Sequence, residues 1–127
     1  MSATASRRKG SGAVILVEDD QALAKALRFA LEIDGWTVLQ HDSGEALLAA
    51  PLPSPPFCVV CDLRLPGMSG IEALQELRVR GIQAPAILIT GAPSVVERRL
   101  AGKVRARLVQ KPLVTGELLS AIRDALA

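Results

Sequence analysis

The sequence predicts a doubly wound α/β domain on a parallel five-stranded sheet, and three observations lead there. From Ala13 onward, short apolar runs alternate with amphipathic stretches, the pattern of successive βα units. The apolar runs are nearly unbroken, as suits strands covered by helices on both faces. Polar residues also follow or end four of the runs: Glu18, Asp19 and Asp20 after the first, Asp62 on the third, Thr90 on the fourth and Lys111 after the fifth. Right-handed crossovers would carry all of these to one edge of the sheet.

Each element has its own local reason. "AVILV" (13–17) is the first strand. The stretch 21–34 keeps Leu23, Ala24, Leu27, Ala30 and Leu31 on one helical face, with Asp20 as its N-cap and Gly35 as its stop. "WTVLQ" (36–40) is the second strand, and 43–50 forms a short helix capped by Asp42 or Ser43. The proline cluster "PLPSPP" (51–56) forbids regular structure. "FCVVCD" (57–62) is the third strand, and a helix over 69–80 turns Ile71, Leu74 and Leu77 inward. "APAILIT" (84–90) and "ARLVQ" (106–110) are the fourth and fifth strands. A last helix begins near Thr115 and buries Leu118, Leu119, Ile122 and Leu126. Between the fourth and fifth strands, Pro93 and Gly102 leave room for barely two helical turns, so a short or irregular helix and a mobile segment are expected over 91–105.

Composition narrows the function. The chain has 127 residues, half of them hydrophobic, which is the size of one domain with a real core. A net charge of +2 and only three aromatics, Phe29, Trp36 and Phe57, give no basis for direct nucleic-acid binding. Residues 1–12 are small, polar and basic, without the apolar stretch of a signal peptide; a disordered arm or tag is expected there, with the domain over 13–127. No apolar run is long enough to span a bilayer, so the expected compartment is the cytoplasm. Cys58 and Cys61 have the spacing of a redox pair. Three positions apart on a strand they face opposite ways, so both are expected as buried, reduced core residues.

At the shared edge, clustered carboxylates repel one another unless a pKa rises or a cation binds. Oxygen ligands without His or Cys suit Mg²⁺ or Mn²⁺. Such an ion beside Asp62 favours phosphoryl chemistry, with Asp62 as the nucleophile that forms an acyl phosphate. Lys111 can pair with one phosphoryl oxygen and the Thr90 hydroxyl can donate to another. Taken alone, "EDD" reads as a solvated turn with a helix cap, Thr90 as an ordinary strand-end residue and Lys111 as a surface lysine. Their joint placement carries the inference. Pro66 and Gly67 read as turn formers, and Gly70 as flexible or required for a close approach.

The ordered blocks "ILVEDD", "DLRLPGMSG", "ILITG" and "VQKPL" resemble those of the receiver domains of two-component response regulators, and the resemblance runs from about Ala13 to the C-terminus. It implies a (βα)₅ flavodoxin-like fold with strand order 2-1-3-4-5. It also implies a phosphoryl group accepted on Asp62 from a histidine kinase or phosphotransfer protein. Glu18, Asp19, Asp62 and the backbone carbonyl of Arg64 would hold Mg²⁺, while Thr90 and Lys111 would be the switch hydroxyl and the phosphate-binding lysine. Asp20 matches a helix cap better than a ligand.

The sequence departs from the family at Leu108, where an aromatic switch residue is usual. Arg98, Arg99, Lys103, Arg105, Arg107 and Lys111 face only one nearby acid, Glu97, so 91–111 reads as a solvated basic face or a surface for a protein partner. A monomer or a phosphorylation-dependent dimer is expected, acting as a stand-alone module or as the receiver of a longer regulator. An interaction module indifferent to phosphorylation is the alternative. A phosphatase of external substrates is disfavoured by Arg64, which stands where a second acid two residues after Asp62 would be needed.

Overall fold

The computed structural model describes residues 12–113 and 115–127; apart from Gly12, the arm expected over 1–12 lies outside them. Five strands, β1 (Ala13–Val17), β2 (Thr37–His41), β3 (Phe57–Asp62), β4 (Ala86–Thr90) and β5 (Ala106–Gln110), form one parallel sheet in the order β2-β1-β3-β4-β5. Five helices alternate with them: α1 (Gln21–Ile33), α2 (Gly44–Ala49), α3 (Gly70–Val79), α4 (Val95–Lys103) and α5 (Thr115–Leu126).

Strand alternation divides the core into two layers. Val14, Leu16, Cys58, Val60, Ile87, Ile89 and Val109 pack with Ala24, Leu27 and Leu31 of α1 and with Leu118, Ala121 and Ile122 of α5. Ile15, Val17, Val59, Cys61 and Leu88 pack with Leu47 of α2, Ile71, Leu74 and Leu77 of α3, and Ala101 of α4. The two cysteines therefore lie in opposite layers, both as free thiols. Burial pushes the Cys58 thiol up to about 12 and that of Cys61 higher still, so neither is a nucleophile at neutral pH.

The helix ends follow their side chains. Asp20 caps α1 by accepting from the Leu23 N–H, and Gly35 takes φ 99° just past its end. Ser43, rather than Asp42, caps α2. Ser69 and Glu72 form a reciprocal capping box that starts α3. The second strand begins one residue later than expected, leaving Trp36 in the turn, where its indole N–H donates to Asp34. The fourth begins after Pro85, which has no N–H to give the ladder.

The helix between β4 and β5 is short, as one branch of the expectation had it, and it is regular rather than irregular. Although it buries only Ala101, α4 is regular over roughly two and a half turns. A capping box of Ser94 and Glu97 starts it, with Pro93 outside, and Gly102 sits within its last turn without breaking it. Its far end is held from α3: Arg78 donates to the carbonyls of Val104, Ile82 and Ala84 at 2.9, 2.9 and 2.7 Å. Those bonds gather the chain where Arg105 takes a positive φ of 56° on its way into β5. No helix among the described residues is long and apolar enough to cross a membrane.

Candidate functional site

The C-terminal ends of β1, β3, β4 and β5 meet at one edge, as the parallel topology requires. Asp62 is the last residue of β3 and is buried, with both carboxylate oxygens engaged. Its Oδ1 accepts from the Arg64 backbone N–H at 3.1 Å, and its Oδ2 lies 3.2 Å from the Lys111 ammonium. Lys111 reaches it from the turn after β5, where its backbone N–H donates to the Thr90 carbonyl and the Lys111–Pro112 bond is cis. The Thr90 hydroxyl is buried at the end of β4 with no protein partner among the described residues.

Glu18 follows β1 and is almost wholly buried. One of its oxygens accepts from the Asp20 N–H at 3.1 Å; the other, Oε1, has no hydrogen-bond partner among the described residues. Burial, with the Asp62 carboxylate adding to it, pushes the Glu18 carboxyl up to about 7, against the pull of the Asp20 N–H and of Lys111. Glu18, exposed Asp19 and Asp62 each offer one oxygen, all within 4.8 Å of one another. Asp20 is set apart from this group as the cap of α1.

The loop after β3 is shaped to present Asp62. At Gly70 a Cβ would lie 2.4 Å from the Asp62 carbonyl oxygen, so glycine is required by a close approach. Glu45 of α2 accepts from the Met68 N–H and holds the loop from the other side. This clamp was not legible in the sequence, because nothing in the spacing of Glu45 marks a partner 23 positions away. The Arg64 side chain, equally unforeseen, crosses to the β4–α4 region and donates to the Ala92 carbonyl and to Glu97.

Comparison with known proteins settles the family. Residues 14–123 match the response regulator receiver domain. The chain belongs to that family. It is 38% identical over 116 residues to the transcriptional regulatory protein FixJ of Azorhizobium caulinodans, covering 89% of this chain and 54% of that protein. It is 35% identical over 116 residues to the uncharacterized transcriptional regulatory protein YkoG of Bacillus subtilis, covering 91% and 51%. This receiver thus spans about half the length of the curated relatives it matches. The crystal structure of FixJ-N superposes with a TM-score of 0.82 at 35% identity, over 91% of this chain and 93% of that one. The chemotaxis protein CheY4 of Vibrio cholerae shares the fold, with a TM-score of 0.82 at 21% identity over 92% and 99%.

Receiver domains bind Mg²⁺ at an acidic cluster, and the residues here fit such an ion. The donors are hard oxygens, and Oε1 of Glu18 is a buried acceptor with no hydrogen-bond donor among the described residues. At the aromatic switch position the receiver has Leu108, half-buried on β5 and packed on the α2–α4 side of the sheet.

Proposed function

We propose that this receiver takes a phosphoryl group from a histidine kinase or histidine phosphotransfer protein onto Asp62 and, once modified, presents an altered protein-binding surface over 91–111. The observation that carries the reading is the Asp62 carboxylate itself, buried at a strand end between the Lys111 ammonium and two further acids. A carboxylate so held is oriented for attack while its charge is offset on one side only.

In the transfer, an Asp62 oxygen attacks phosphorus, the P–N bond to the donor histidine breaks, and the imidazole nitrogen keeps the electron pair. Glu18, Asp19, Asp62 and the Arg64 carbonyl would hold Mg²⁺, which when bound neutralises charge on the incoming phosphoryl oxygens. Lys111 is 3.2 Å from Asp62 and pairs with an oxygen of the product. The Thr90 hydroxyl, which has no partner among the described residues, donates to another, which draws the end of β4 toward the modified residue. Hydrolysis of the acyl phosphate by water restores Asp62, so the only reactions catalysed are the chain's own phosphorylation and dephosphorylation, in the cytoplasm. The added charge, close to two units, shifts the population of the loops after β3, β4 and β5 and with it the affinity for a downstream protein or a second copy.

Incubation with acetyl phosphate and Mg²⁺ tests this. Intact-mass spectrometry should show one phosphoryl group added to the wild-type chain and none to Asp62→Asn. Equal labelling of the variant would refute the assignment.

A further inference from the structure

Arg64 stands two residues beyond Asp62, yet its guanidinium is held away from that carboxylate. Its Nη2 donates to Glu97 Oε1 at 3.0 Å and to the Ala92 carbonyl at 3.4 Å. The same Glu97 oxygen accepts from the Ser94 N–H at 2.9 Å, while the Glu97 N–H donates to Ser94 Oγ at 3.0 Å. One carboxylate oxygen therefore serves both the capping box of α4 and a cation from the loop after β3. The Ser94 backbone N–H, followed by the Arg64 charge, holds the Glu97 carboxyl below the usual carboxylate range.

We infer that Arg64 is a latch whose guanidinium is exchanged between Glu97 and the phosphoryl group on Asp62, so that modification loosens the start of α4. The inference rests on the phosphoryl-acceptor reading of Asp62. Three features support it. The Arg64 backbone N–H is already 3.1 Å from Asp62 Oδ1, so the root of its flexible side chain is beside the acceptor. The Arg64 side chain is 61% exposed and that of Glu97 20%, and an ion pair open to water on its cationic side is weak enough to be displaced. A phosphoryl group carries nearly twice the charge of Glu97 and offers oxygens in the fork geometry that a guanidinium prefers. When Arg64 leaves, Glu97 loses the tie that fixes its side chain over the start of α4, so its bond from the Ser94 N–H is formed less of the time, and α4, with only Ala101 buried, has little packing to compensate. The arrangement gives this receiver a route from Asp62 to α4 that does not pass through Leu108.

Amide hydrogen exchange at Ser94, read by NMR alongside intact mass, tests the latch in wild type, Arg64→Ala, Arg64→Lys and Glu97→Gln, each with and without acetyl phosphate and Mg²⁺. Phosphorylation of the wild type should speed Ser94 exchange several-fold. Arg64→Ala should exchange fast before modification and gain little on it, and Glu97→Gln should do the same. Arg64→Lys, which keeps the charge without the fork, should fall between. A labelled wild type whose Ser94 exchange is unchanged, or an Arg64→Ala chain that responds as fully as wild type, overturns the latch while leaving Asp62 as acceptor. A wild type that takes no label fails at the earlier step, and the latch falls with it.

Discussion

Glu18 is the most deeply buried carboxylate among the described residues, and its burial has a consequence for stability. Its carboxyl moves from 4.5 to about 7 on folding, so between these values the folded chain holds a proton that the unfolded chain has released. A raised pKa contributes stability that is complete below about 4.5 and lost as the pH climbs through about 7. In EDTA, urea unfolding at about pH 5 and pH 8 should therefore show a Glu18 contribution on the order of 1–2 kcal/mol in favour of the lower pH, and Glu18→Gln should remove it. Mg²⁺ should oppose the trend, since a cation binds the ionised form. The positions of Asp62, Thr90 and Lys111 could be read from the sequence because strand ends in a parallel sheet share an edge. The direction taken by Arg64 could not, because an exposed guanidinium reaches many partners and only the folded loops decide which is near.

Among the elements, α4 departs most from what propensity alone suggests. Counting Pro93 and Gly102 as limits understated it, because the Ser94–Glu97 box secures one end and Arg78 of α3 secures the other. The first of these devices lies in the local sequence; the second joins residues 26 positions apart and appears only after folding. Arg78 is half-buried, and its one guanidinium donates to three backbone carbonyls at once. Arg78→Ala should accordingly lower unfolding free energy by about 2–3 kcal/mol, and Arg78→Lys should recover only part of it for want of a planar fork. Chemical denaturation of both variants checks this, and a loss below about 0.5 kcal/mol in Arg78→Ala would show the carbonyls to be satisfied otherwise.

For the molecule as a whole, topology was legible because unbroken apolar runs alternate with amphipathic ones, and that pattern admits a sheet covered on both sides. Side-chain ties between distant elements were not. The buried Asp34 carboxylate illustrates the point: it accepts from the Trp36 indole at the end of α1 and from Arg123 of α5, joining two elements 89 positions apart. The cysteines, by contrast, were placed correctly by strand alternation alone, and their placement gives the receiver a pair of internal clocks. Cys58 reports on the layer under α1 and α5, Cys61 on the layer under α2, α3 and α4, and no other thiol is present to obscure them. Alkylation followed over time in Cys58→Ala and Cys61→Ala chains would time each face separately. Matching rates mean that the two sides of the sheet come apart in a single cooperative event, and unequal rates identify the side that yields first.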